Sequence, residues 1–92
     1  MPDTEKKRAE AIRHAVLEAL AVRHPAALPV PGVRRAIQRD ASLDFEPTPA
    51  ELSSALELLI GLGYVERVPD PLGATNYYKA TAAGLLHWER EG

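Results

Sequence analysis

The tetrapeptide Thr48-Pro49-Ala50-Glu51 constrains the fold of this 92-residue chain more than any other stretch. The first backbone N–H groups of a helix lack partners. A threonine oxygen accepts from the N–H three residues on, while a glutamate there reaches back to the threonine N–H. Proline fits between them, where no N–H is required. Leu52, Ala55, Leu56, Leu59 and Leu62 then recur at the helical period, so this helix has to bury one face. Gly61 and Gly63 offer the positive φ that a helix stop prefers. The face opposite the leucines consists of Ala50, Ser53, Ser54, Glu57 and Gly61.

A striped helix needs cover, and the rest of the chain supplies it. Upstream, Ala9, Ile12, Val16, Ala19 and Leu20 predict an amphipathic helix over Thr4 to Arg23, capped by Asp3 or Thr4 and ended by Pro25. Ala27-Leu28-Pro29-Val30 is short and proline-bearing, which allows only a brief edge strand or an extended connector. Pro31 suits a first helical turn, and Val33, Ala36 and Ile37 give one apolar face to a short helix ending near Asp40. Residues 41–47 form a connector that turns Leu43 and Phe45 down onto the core. Downstream, Tyr64 to Val68 and Thr75 to Ala80 read as strands around the turn Pro69-Asp70-Pro71-Leu72-Gly73, hence a hairpin. Thr81 caps a last helix, Ala82 to about Arg90, with Leu85, Leu86 and Trp88 on or near the core. The expected unit is one domain over residues 1–92, loose at 1–3 and 91–92.

Composition narrows the chemistry. The absence of cysteine removes disulfide frameworks, thiolate zinc sites and cysteine nucleophiles together. His14, His24 and His87 fall on separate elements without metal-ligand spacing, no glycine-rich phosphate loop is present, and no serine, histidine and acid grouping has a supporting motif. The expectation is therefore no enzyme, no metal and no cofactor. No apolar run approaches the roughly 20 residues of a membrane span, and the basic start lacks a signal-peptide core, so a cytoplasmic protein is expected. Arginine outnumbers lysine eight to three, as in GC-rich bacterial genomes. Residues 1–40 carry eight Lys/Arg against five Asp/Glu and residues 41–92 three against eight, so the net charge of −2 hides a basic first half.

The fold class expected is α+β and mostly helical, in the order helix, strand, helix, helix, hairpin, helix. That order resembles the winged helix-turn-helix, whose hairpin is the wing. Ala55-Leu56-Glu57-Leu58-Leu59-Ile60-Gly61-Leu62-Gly63-Tyr64-Val65-Glu66-Arg67 is similar to the third helix running through its glycine into the first wing strand. Tyr78-Lys79-Ala80-Thr81-Ala82-Ala83-Gly84 is similar to the stretch that closes the wing in many bacterial winged-helix regulators, except that Ala80 replaces the usual leucine.

The resemblance implies a bacterial or phage-related transcriptional regulator that binds double-stranded DNA as a homodimer, with the third helix in the major groove. Ser53, Ser54 and Glu57 then face bases, Glu57 accepting from a cytosine amine. Arg34, Arg35, Arg39, Arg67 and Lys79 face the phosphate backbone, joined by the Lys6-Lys7-Arg8 cluster, and Thr48 counts among the DNA-binding residues. The bland readings stay open beside these: a solvated arginine face and ordinary surface serines. The third helix has no Lys or Arg, and the wing turn is free of positive charge. Strong binders make about 6–10 phosphate contacts, so a monomer is expected to bind weakly and a dimer to double the contacts.

The rival expectation is a protein-interaction winged helix without DNA contact. Leu58 and Ile60 flank the third helix and Tyr77 points outward on the wing, together an apolar docking patch. Trp88 is either core or, as final helices of this fold often dimerise, part of an interface. Leu58 and Ile60 have a core reading as well.

Overall fold

The computed structural model describes the backbone of residues 2–91 and the side chains of residues 4–91. The elements are α1 (Pro2–Val22), α2 (Val30–Asp40), α3 (Pro49–Gly61), β1 (Val65–Pro69), β2 (Asn76–Ala80) and α4 (Ala82–Glu91). Helix α1 begins before the expected Asp3 or Thr4 cap, and α4 runs to Glu91; Met1 and Gly92, at the expected loose ends, lie outside the described residues.

The middle of the molecule is α1, which packs against α2, α3, α4 and β2. Its apolar arc is wider than the periodicity indicated: Ala15, Leu17 and Ala21 are buried along with Ile12, Val16, Ala19 and Leu20. Three alanines on that arc leave room for neighbouring backbones to approach. Leu28 makes a single antiparallel bridge to Tyr78, each N–H donating to the other's carbonyl at 2.8 Å, and Pro29 stops the pairing there.

Helix α2 has no side-chain cap at Pro29 and buries Val33, Ala36 and Ile37. It ends on Ala41 at φ 52°, a left-handed conformation that costs a residue with a Cβ about 1–2 kcal/mol. Leu43 and Phe45 pack on the core as expected.

The reciprocal cap of α3 is formed. Thr48 Oγ1 accepts from the Glu51 N–H at 3.1 Å, and Glu51 Oε1 accepts from the Thr48 N–H at 2.9 Å. Leu52, Ala55, Leu56 and Leu59 are buried, whereas Leu62, expected on the same stripe, is 55% exposed. The cause is the helix stop. Leu62 is already the C-cap, Gly63 takes φ 82°, and the Tyr64 N–H returns to the Leu59 carbonyl at 3.0 Å.

The antiparallel hairpin pairs Val65 with Ala80, Glu66 with Lys79, Arg67 with Tyr78, Val68 with Tyr77 and Pro69 with Asn76. Directly opposed residues share a face, so Val65, Arg67, Tyr78 and Ala80 face the helices, and Glu66, Val68, Tyr77 and Lys79 face away. Val65, Tyr78 and Ala80 are buried, so the small residue at position 80 sits in a closed part of the core. At the tip, the Asp70 carboxylate accepts from the Leu72 N–H at 3.0 Å, which holds an ordered turn with Leu72 97% exposed.

Thr81 joins the wing to α4. Its hydroxyl accepts from the Gly84 N–H at 3.0 Å and donates to the Gly63 carbonyl at 2.6 Å. Gly84 lies so close to the preceding turn that a Cβ would stand 2.0 Å from the Tyr64 carbonyl oxygen. Leu85 and Trp88 pack on the core, but Leu86, expected with them, is exposed. One residue on from Leu85 is about 100° around the helix, which carries Leu86 off the core face. No described helix is long and apolar enough to cross a membrane.

Candidate nucleic-acid interface

The leucine stripe fixes the rotation of α3, and thereby the composition of its outward face. Ala50, Ser53, Ser54, Glu57 and Gly61 are all exposed, as the wheel predicts. Thr48 is exposed at the amino end; its oxygen is occupied by the Glu51 N–H, while its own O–H proton remains available to an acceptor.

The cations expected on phosphates are arranged differently from a bare basic patch. Arg34 donates to Glu46 from Nη2 and, at 2.9 Å, from Nε, and Gln38 adds an amide donor to the same carboxylate oxygen at 3.0 Å. Arg67 Nη2 meets Glu57 Oε1 at 2.5 Å. Lys79 Nζ lies 3.2 Å from Glu66 across the hairpin. Arg35 and Arg39 are exposed and form no ion pair among the described residues. Three of the five expected phosphate ligands on α2 and the wing thus already hold a carboxylate.

Two arginines of the basic first half are likewise engaged by carboxylates. Arg8, grouped by sequence with Lys6 and Lys7, is turned inward. Its guanidinium stands 4.2 Å above the Phe45 ring and forms a two-pronged pair with Glu51, at 2.6 Å and 3.0 Å. Those bonds from Arg8, with the Thr48 N–H, pull the Glu51 carboxyl down to about 2. Arg23 pairs in the same way with Asp40 at 2.8 Å and 3.0 Å, holding that carboxyl below the usual range. Lys6 and Lys7 remain exposed on α1.

Of the residues expected in an apolar patch, Leu58 is 44% exposed, but Ile60 is partly buried and packs on the core. Ile60 stands four residues beyond Leu56 and so returns to the buried stripe, which corrects its outward assignment. Tyr77 faces outward opposite Val68 and is half-buried. Trp88 is partly buried and packs on the core, with its remaining surface in a depression of about 420 Å³ beside Leu62, Tyr64 and His87. The Tyr64 and His87 rings stack at 4.4 Å. Leu58 lines a groove of about 670 Å³ between α1 and α3, floored by Ala9, Ile12, Ala50 and Ala55. The expected patch of Leu58, Ile60 and Tyr77 is therefore reduced to Leu58, on the groove between α1 and α3, and Tyr77, on the outer face of the wing.

Sequence reading missed the acids that engage these cations. Glu66 was discoverable, because an antiparallel register puts it directly opposite Lys79. Glu46 and Glu51 were not, since their partners are 12 and 43 residues away with no helical or strand spacing to signal them. His14 and His87, on separate elements, line the same depression; among the described residues there is no group of three or more His, Cys, Asp or Glu suited to a metal ion.

Comparison with solved structures identifies the fold. A cysteine-to-serine mutant of MarR from E. coli has a TM-score of 0.66 and 22% identity over 85% of this chain and 51% of its own. The S. aureus MepR–DNA complex scores 0.70 at 16% identity, over 98% of this chain and 68% of that one. A transcriptional regulator from Clostridium thermocellum scores 0.68 at 15% identity, over 99% and 82%. The chain spans about half the length of the MarR chain it matches. No family model matches the sequence, and no curated protein does either. At these identities the likeness is one of fold, and the fold is the winged helix.

Proposed function

We propose that this chain, residues 1–92 acting as one module, is a DNA-binding transcriptional regulator that reads double-stranded DNA as a homodimer in the cytoplasm. The observation that carries the reading is the outward face of α3: five exposed small or polar residues beside a two-stranded wing, in a fold shared with MepR in complex with DNA. On this reading Ser53, Ser54 and Glu57 face base edges. Thr48, Arg34, Arg35, Arg39, Arg67 and Lys79 face phosphates, and Arg35 and Arg39 are the two that need no exchange of partner.

Counting Arg35 and Arg39 alone, a dimer neutralises about four phosphates, so log K should fall with log salt at a slope of about −3.6. Anisotropy titration of a labelled random duplex at low salt tests the reading, with the mass in solution measured beside it. Binding no tighter than that of a neutral control protein removes the proposal.

The neutralised face and the Leu58 groove favour a second reading, a winged helix that docks another protein. Leu58→Glu is the clean probe, because Ile60 belongs to the core. Under this reading the variant loses self- or partner association while keeping its melting temperature; unchanged association removes the docking reading.

A further inference from the structure

We infer that Glu57 is a specificity gate: it holds Arg67 off the phosphate backbone and releases it only where a base-edge amine takes the arginine's place on the carboxylate. The inference rests on α3 facing the major groove, as proposed above.

Three observations carry it. First, Glu57 is on the outward face of α3 together with Ser53 and Ser54, so it meets whatever that helix meets. Second, Arg67 shares its strand face with Val65, Tyr78 and Ala80, which turns it toward the helices and delivers its Nη2 to Glu57 Oε1 at 2.5 Å. Third, both side chains are well exposed, 62% for Glu57 and 42% for Arg67, so the pair is weak and readily exchanged.

The chemistry then depends on the base pair presented. A cytosine offers an N4–H donor in the major groove, which a carboxylate accepts; adenine offers an N6–H too, but with the N7 lone pair beside it, which repels the second carboxylate oxygen. Guanine O6 and N7 and thymine O4 are acceptors, and a carboxylate freed from its arginine would face their lone pairs unpaired. Opposite cytosine, Glu57 exchanges the guanidinium for the amine and Arg67 is free to reach a phosphate. Opposite an acceptor, Arg67 stays on Glu57 and that phosphate contact is not made. Base identity thereby controls backbone affinity, and the carboxylate suppresses binding to arbitrary sequence.

The test uses the full chain and its Glu57→Gln and Arg67→Gln variants, on a random duplex and on a duplex enriched by wild type from a randomised library. Glu57→Gln should release Arg67 everywhere. Each copy then gains about one phosphate contact, which steepens the salt slope by about 0.9 and tightens random-duplex binding about eightfold per copy at 0.1 M salt, taking 1 M as reference. Sites enriched with that variant should lose their preference for cytosine at one position per half-site. Arg67→Gln bares the Glu57 carboxylate and should not tighten binding to the random duplex, where the salt slope stays unchanged; on the enriched site it should lower the slope by about 0.9 and weaken binding about eightfold per copy. Random-duplex affinity and slope unchanged in Glu57→Gln, or cytosine retained in its sites, overturns the gate while DNA binding stands. Failure of wild type and both variants to bind any duplex overturns the gate and the DNA reading together.

Discussion

Replacing Gly84 by alanine sets two effects of opposite sign against each other. In an exposed helix the change adds about 1 kcal/mol, because alanine is the better helix former. Here the new Cβ would stand 2.0 Å from the Tyr64 carbonyl oxygen, against about 3.3 Å for an ordinary carbon–oxygen contact. The first turn of α4 must therefore retreat by about 1.3 Å, or the turn after α3 must give by the same amount. Overpacking of this kind costs about 1–3 kcal/mol. The movement also pulls on the Thr81 N–H bond to that same carbonyl and on the Gly84 N–H bond to Thr81, both 3.0 Å. Loss of such a cap costs about 1 kcal/mol. The net expectation is a loss of about 2 kcal/mol, or a melting temperature lower by on the order of 10 °C for a chain of this size. Thermal unfolding followed by circular dichroism reads it directly. An unchanged or raised melting temperature would mean that propensity wins and that α4 is not seated on Tyr64.

Ala41→Gly should run the other way. Relief of the left-handed residue, at about 1–2 kcal/mol, outweighs the extra freedom of glycine in the unfolded chain, at about 0.4–1 kcal/mol. A urea midpoint that falls would refute it. Acid should destabilise the protein through Glu51, whose folded-state carboxyl at about 2 lies below its ordinary 4.5. The contribution is complete above about 4.5 and is lost as pH drops toward 2. Glu51→Gln keeps a side chain that can complete the cap but discards the charge, so its urea midpoint should vary less with pH across that window. Parallel curves for the two proteins would show that Arg8 gives the carboxylate nothing.

Elements whose signals are local were legible in the sequence. The cap at Thr48, the leucine stripe, the hairpin and the Thr81 start of α4 each depend on residues within a few positions of one another, and each is present. Leu62 and Leu86 were misjudged where an element's end or phase decides burial: a helix stop turns one outward, and a single step around the wheel the other. The charge arrangement was illegible for a different reason. Arg8 and Glu51 are 43 residues apart and meet only because α1 lies against α3, a fact of tertiary packing that no spacing encodes. The outward face of α3 could be read correctly because burial of its opposite side dictates it. Which cations beside it are free could not.

The engaged state of Arg34, Arg67 and Lys79 has a kinetic consequence. A cation sitting against its own carboxylate presents a dipole, whose field decays faster than that of a lone charge and fades well within the screening distance of about 8 Å in physiological salt. Those three cations therefore add little long-range attraction; with a net charge of −2, steering is left to side chains such as Arg35 and Arg39, and association should proceed near the unsteered rate of roughly 10⁵–10⁶ per molar per second. Such side chains pass a polyelectrolyte at a distance with little response and commit themselves only at contact.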